Sequence, residues 1–119
     1  MSKLDESATW RKGMDLVKAV YIATSKLPSD EKFGLVSQMR RSAVSVPSNF
    51  AEGFGRHGDG EFLHFVGVSR GSLFELETQI KLCKELNLIR DTDHLLGLCD
   101  ECGRLLMATR QTLRRKRSK

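Results

Sequence analysis

What the sequence has little of narrows it first. Two prolines in 119 residues, and no run rich in Ser and Gly, exclude a linker-dominated or collagen-like chain. No apolar stretch approaches the ~18–20 residues needed to span a bilayer. The first ten residues lack the basic-then-apolar order of a secretory signal, so the chain is expected to be cytoplasmic with no membrane partner. Cysteines are few and odd in number: Cys83, Cys99 and Cys102. All three fall inside apolar patterns, and Cys99-x-x-Cys102 has no second pair to complete four zinc ligands. Buried free thiols in a reducing compartment are the expected state.

Charge of one sign is missing from the C-terminus. Lys and Arg total 20 against 15 Asp and Glu, a net +5. Seven of those cations (Arg104, Arg110, Arg114, Arg115, Lys116, Arg117 and Lys119) follow one another with no acid between or after them. The remainder holds 13 basic against 15 acidic residues, so the basic character belongs to the tail. Such a run is an electrostatic foot for RNA or DNA. It equally suits a helix C-terminus and solubility.

Strict alternation is absent, whereas apolar residues recur four times at helical spacing. The first run is Trp10, Met14, Val17, Tyr21 and Thr24, widened by Leu16, Val20 and Leu27 and stopped by Pro28. A second helix is expected to open at Asp30 and Glu31, with a seam of Val36, Met39, Ala43, Val46, Phe50 and Phe54. Pro47 should bend it, because the ring removes a donor and crowds the carbonyl of Ala43. The glycine-rich residues 53–60 then turn the chain. The third helix, with Asp59 as cap, carries Phe62, Val66, Ser69, Leu73, Leu76, Ile80 and Cys83 and ends near Asn87. Asp91 or Thr92 caps a fourth, with Leu95, Cys99, Cys102, Leu106, Thr109 and Leu113 inward. Short connections predict an all-α, antiparallel up-down-up-down four-helix bundle over residues 1–109, with residues 110–119 a basic extension of the fourth helix.

Three chemical patterns fail on context. Gly53-x-Gly55-x-x-Gly58 has dinucleotide spacing but follows a helix rather than a strand. Glu61-x-x-His64 and Asp91-x-x-His94 resemble half-sites of a di-iron bundle, yet each lies in the first turn of its helix. Antiparallel neighbours would hold those turns ~30 Å or more apart. No nucleophile, base and acid share a face, so neither catalysis nor a cofactor is expected.

Two surfaces stand out instead. Val68, Glu75, Leu82 and Leu86 line a second face of the third helix, apolar enough to need cover from another subunit. Gln38, Arg41, Ser45, Ser48, Asn49 and Glu52 share about a third of the circumference of the second helix. Short hydrogen-bonding groups at its centre suit a polar interface or network better than a solvated face does. Of the aromatics, Trp10, Tyr21 and most of the six Phe are expected on core seams, leaving little for base stacking.

Residues 38–53, with the core Ser45-x-x-x-Asn49-x-Ala51-Glu52-Gly53, resemble the signature of the four-helix-bundle family named for 23S ribosomal RNA intervening sequences. Phe62-Leu63, Gly71-Ser72-Leu73, Glu75 and Leu76 form a second matching block, and Pro28 and Glu31 also fit. The likeness runs from Trp10 to about Leu106. Ser69 and Asn87 depart from it, standing where Ala and Gly are common, and the tail after Thr109 lies outside it. The resemblance implies a ring-like homopentamer without known catalysis. It also implies kinship with accessory subunits of retroelements that bind nucleic acid and a reverse transcriptase. The expected function is non-enzymatic nucleic-acid binding by a homo-oligomer; the alternative is a protein-binding adaptor, such as one serving a reverse transcriptase.

Overall fold

A computed structural model describes residues 3–117, and among these there are four α-helices and no strand. They are α1 (Ala8–Thr24), α2 (Ser37–Phe54), α3 (Asp59–Glu85) and α4 (Thr92–Arg117). A 3-10 turn, Lys3–Glu6, precedes α1, and Ser29–Glu31 (3-10) and Lys32–Val36 (a π turn) lead into α2. Together they make a body of 50 × 26 × 21 Å, with α3 and α4 the long elements.

Ser7 caps α1 by accepting a hydrogen bond from the Trp10 amide at 3.2 Å. The face that α1 buries is Gly13, Leu16, Val20 and Thr24; the last three belong to the expected stripe, but Trp10, Met14 and Val17 are only half-buried and Tyr21 is exposed, so the centre of the stripe lies nearer Gly13. Gly13 is the cause. A Cβ placed there would sit 3.1 Å from Cβ of Pro47, so the two backbones approach through the missing side chain. That contact turns Gly13 inward and leaves Tyr21 exposed, with the Arg40 guanidinium 4.4 Å above its ring. Arg40 also donates to Thr24 Oγ1 at 2.9 Å and to the Tyr21 carbonyl at 3.4 Å, satisfying acceptors at the end of α1.

The second helix starts later than its acids suggest. Glu31 accepts from the Leu35 amide at 3.4 Å, but Gly34 leaves helical geometry (φ −104°, ψ −108°) and α2 proper begins at Ser37. Pro47 lies inside α2 without ending it. At the head of α3, Gly58 rather than Asp59 holds the cap position, with φ 101°, a conformation that side chains resist. Asp59 and Glu61 instead occupy the first turn, where acids complement the dipole. The far end closes with Asn87 at φ 57°; Asn87 donates to Lys84 O at 3.1 Å and Leu88 to Cys83 O at 2.9 Å. Asparagine thus performs the Schellman turn usually left to glycine. Asp91 caps α4 by accepting from the His94 amide at 3.2 Å.

Every seam residue expected on α3 except Phe62 is buried, and every one on α4 except Thr109. Cys83, Cys99 and Cys102 are free and buried among them. Burial pushes the Cys99 and Cys102 thiols up to about 12. Their folded pKa values exceed the unfolded ones, so the stability they confer is complete below ~9 and is lost as pH rises toward 12.

Gly53 and Gly97 separate a packed glycine from an open one. A Cβ at Gly53 would lie 2.8 Å from Phe65 Cβ and 3.2 Å from Phe62 Cα, while one at Gly97 meets nothing within 4 Å. Gly53→Ala is expected to lower stability by ~1–3 kcal/mol. Gly97→Ala should raise it by ~0.5–1 kcal/mol. Urea unfolding of both variants checks the pair.

Candidate functional site

Small polar side chains bridge α2 and α3 within their apolar contact. Ser42 donates to Gln79 Oε1 at 2.7 Å, Ser69 to the Val46 carbonyl at 2.8 Å, and the Ser45 and Ser72 hydroxyls share a 2.7 Å bond. Asn49 Nδ2 donates to both the carbonyl and the hydroxyl of Ser45, at 2.9 and 2.7 Å. The polar stripe read from the sequence therefore divides. Ser45 and Asn49 are half-buried and joined to α3, whereas Gln38, Arg41 and Glu52 are exposed. Glu52 pairs with Arg56 Nε at 3.5 Å and takes no part in the Asn49 network.

Ser72 sits on α3 beside the second apolar face. Val68 (39% exposed), Leu82 (42%) and Leu86 (53%) lie open there, with Glu75 exposed between them. Phe33, 89% exposed, and Val44 on α2 were not singled out from the sequence. Phe33 precedes the irregular Gly34, so no helical period reveals it; Val44 falls between Arg41 and Ser48, off the α2 seam. The aromatic expectation also needs correcting. Only Phe50 is fully buried, whereas Phe33, Phe54, Phe74 and Tyr21 are exposed. Phe50, Phe54 and Phe62 cluster around the α2–α3 turn, with ring centroids 5.4–6.2 Å apart.

The basic residues occupy different settings along α4. Arg104 pairs with Asp100 at 3.4 Å, two turns ahead of the run. Arg110 is half-buried with its guanidinium 3.9 Å from Met107 Sδ. Arg114, Arg115, Lys116 and Arg117 are exposed in the final turn, around the buried Leu113. The Arg117 guanidinium lies against Gly60, placing the last turn of α4 beside the first turn of α3. Lys119 lies outside the described residues. Nearer the middle, Lys12 and Glu101 tie α1 to α4 at 2.9 Å, which holds the Glu101 carboxyl below and the Lys12 ammonium above their ordinary values. Among the described residues no three His, Cys, Asp or Glu side chains are grouped to hold a metal ion.

The divided stripe carries a stability prediction. Ser45→Ala would remove the side-chain partner of both Ser72 and Asn49 at the half-buried α2–α3 contact and should cost ~1–2 kcal/mol. Glu52→Ala removes only an exposed pair and should change stability by less than ~0.5 kcal/mol. Thermal melts of the two variants are the check, and equal shifts would contradict the division.

The four-helix fold recurs in a crystal structure of a protein of unknown function from the S23 ribosomal protein family of Bacteroides thetaiotaomicron. Its TM-score is 0.80 over 87% of this chain and 95% of that one, at 17% identity. No curated protein matches the chain. Residues 5–108, nearly the whole helical body, match the family described as 23S rRNA-intervening sequence protein. The chain belongs to the 23S rRNA-intervening sequence protein family.

Proposed function

We propose that this chain is a non-enzymatic, cytoplasmic, homo-oligomeric protein that binds RNA or DNA through phosphate contacts at the end of α4. The observation that carries the reading is the continuation of α4 to Arg117. It presents four exposed cations in one turn, with no acid from Arg104 onward. A helix holds those charges at fixed spacing, so less side-chain and backbone entropy is lost on binding than from a flexible tail. Phosphate contacts position a protein without reading sequence, so little base preference is expected.

The proposed frame is an antiparallel up-down-up-down bundle. Support comes from contacts that pair opposite ends: Thr24 of α1 with Arg40 of α2, Ser42 of α2 with Gln79 of α3, and Gly60 of α3 with Arg117 of α4. Self-association is supported by Val68, Leu82 and the C-cap Leu86, which share one side of α3 because residues 14 and 18 positions apart return to within about 40° of the same direction at ~100° per residue. Five subunits is the number that the family resemblance suggests. A ring would repeat the basic turn around its rim and multiply phosphate contacts.

Two measurements test this. Fluorescence anisotropy against mixed-sequence RNA and duplex DNA should give binding that weakens steeply with salt. The triple variant Arg115→Gln, Lys116→Gln, Arg117→Gln should flatten the log–log salt slope by about 2–3 units. Substitution is preferable to truncation because Leu113 stays in its seam. Unchanged affinity would reject the phosphate contact and favour the adaptor reading, in which the exposed Phe33, Val44 and Leu86 would meet a protein such as a reverse transcriptase. For assembly, Leu82→Glu or Leu86→Glu places a charge at the proposed contact and should shift the light-scattering mass toward the monomer. A monomeric wild-type protein at tens of micromolar would end the oligomer proposal.

A further inference from the structure

A groove of about 690 Å³ runs between α1 and α4, closed at one end by the α3–α4 connection. Its origin is visible in the residues. Ala19 and Ala23, one turn apart on α1, line the same groove as Leu95 and Leu98 of α4. Two methyl groups fill little of the space between the helices, so a slot remains, with the buried Leu95 among its lining residues. Its volume falls in the ~300–1,000 Å³ range of small-molecule sites. Ile22, 63% exposed, and the half-buried Leu88 extend the apolar wall.

Charge around this slot is uneven. Lys18, Lys26 and Arg90 border it from α1, from the turn after α1 and from the α3–α4 connection. None of the three is in an ion pair among the described residues. Two acids also border it. One carboxylate oxygen of Asp91 accepts the His94 amide as the α4 cap. Asp15 is displaced by eight residues from Ala23, about 12 Å along the helix. The Lys26–Arg90 end therefore offers two cations whose partners are missing, beside a strongly apolar wall. His94 also borders that end.

We propose that this groove binds a small amphipathic anion, an aliphatic body carrying a single carboxylate or phosphate head group. The body lies along Ala19, Ala23 and Leu98, replacing water on apolar surface, and the head group meets Lys26 and Arg90. A polyanion fits poorly, because its charges repeat at short intervals and would have to enter the apolar part of the slot. A cationic amphiphile would meet unpaired like charges at the rim.

Calorimetric titration of the full chain with decanoate, decyl phosphate and decylamine, each below its micelle concentration, tests the assignment. Methyl-resolved NMR of Ala19, Ala23 and Leu98 locates the binding. Saturable 1:1 binding of at least one anion is expected, with decylamine roughly tenfold or more weaker. The preferred anion identifies the head group. Ala23→Phe fills the slot and should weaken the anion roughly tenfold or more. Lys26→Gln with Arg90→Gln touches only exposed side chains, so it keeps the fold; it should weaken the anion roughly three- to tenfold. Absence of saturable binding, equal affinity for decylamine, or an unchanged affinity in the Lys26/Arg90 variant would overturn the proposal. So would methyl shifts confined to other surfaces. Loss of oligomer in Ala23→Phe, with no anion binding to the wild type, would assign the groove to a second copy of the chain instead.

Discussion

Where α2 meets α3, hydroxyl groups stand in places that branched aliphatic side chains would hold in an ordinary helix seam. Ser42, Ser45, Ser69 and Ser72 bring the backbones close, and Gly53 carries that closeness to the end of α2, against Phe62 and Phe65. Close approach of this kind demands complete hydrogen bonding, because each stranded polar group costs ~1–3 kcal/mol. The demand is met: among the described residues no buried side-chain nitrogen or oxygen lacks a partner. Ser42 uses Gln79, Ser69 uses a backbone carbonyl, and Ser45 mediates between Ser72 and Asn49. A network with that degree of mutual dependence specifies one register of α2 on α3. The remaining helices are placed from it, since Pro47 of α2 receives Gly13 of α1, and α3 supplies the seam on which α4 packs.

That economy of volume inside has a counterpart outside. The serines share the seam with buried Met39, Val46, Val66, Leu76 and Ile80, and the third helix carries further apolar residues on the adjoining face. Val68 stands there one turn from Ser72, Leu82 and Leu86 lie further along toward the end of α3, and Val44 and Phe33 are exposed on the neighbouring elements. The apolar surface of this small chain is thus divided between an interior of alternating small and large side chains and an exterior that invites cover. The polar centre of α2 lies at the boundary of the two. It belongs to the packing through Ser45 and Asn49 and to the surface through Arg41 and Gln38.

Legibility followed the same division. The seams of α3 and α4 could be read almost residue by residue, because their buried positions keep one helical period from Val66 to Cys83 and from Leu95 to Leu113. In α1 the period was right and Leu16, Val20 and Thr24 read as inward, but the centre of the face lies nearer Gly13, which shows no hydrophobicity and packs against Pro47. The head of α2 misled for a related reason: the acids at residues 30 and 31 open a 3-10 turn and a π turn that break at Gly34 before the helix begins. Asp59 looked like a cap because its chemistry suits one, but Gly58 reaches the positive φ that the turn needs. Within the polar stripe, spacing placed six residues on a face; it could not say that Glu52 would prefer Arg56, four residues on, to Asn49. The i,i+4 spacing of that pair was the available signal. The α1–α4 groove left no sequence signal, because it arises from two alanines facing across to leucines on a helix about seventy residues away.

The end of α4 shows how one structural device can serve two demands. Cations in a last helical turn face unpaired carbonyls and the negative end of the macrodipole, and so stabilise the helix they decorate. The same cations repel one another, and the cost of holding Arg114, Arg115, Lys116 and Arg117 together is reduced when a polyanion lies beside them. Leu113 fixes the turn to the core from within, so the charges cannot relax by unravelling without exposing a leucine that is 4% accessible. Arg117 is held against the first turn of α3, where Asp59 and Glu61 supply the nearest acids in sequence to Gly60. Neither acid is ion-paired with Arg117, and Glu61 faces Arg56 at 4.0 Å, but a phosphate approaching Arg117 would be repelled by both carboxylates. Neutralising Asp59 and Glu61 should therefore strengthen polyanion binding, the opposite sign from neutralising the arginines. This sign difference separates a surface shaped by both charges from a tail that is merely basic.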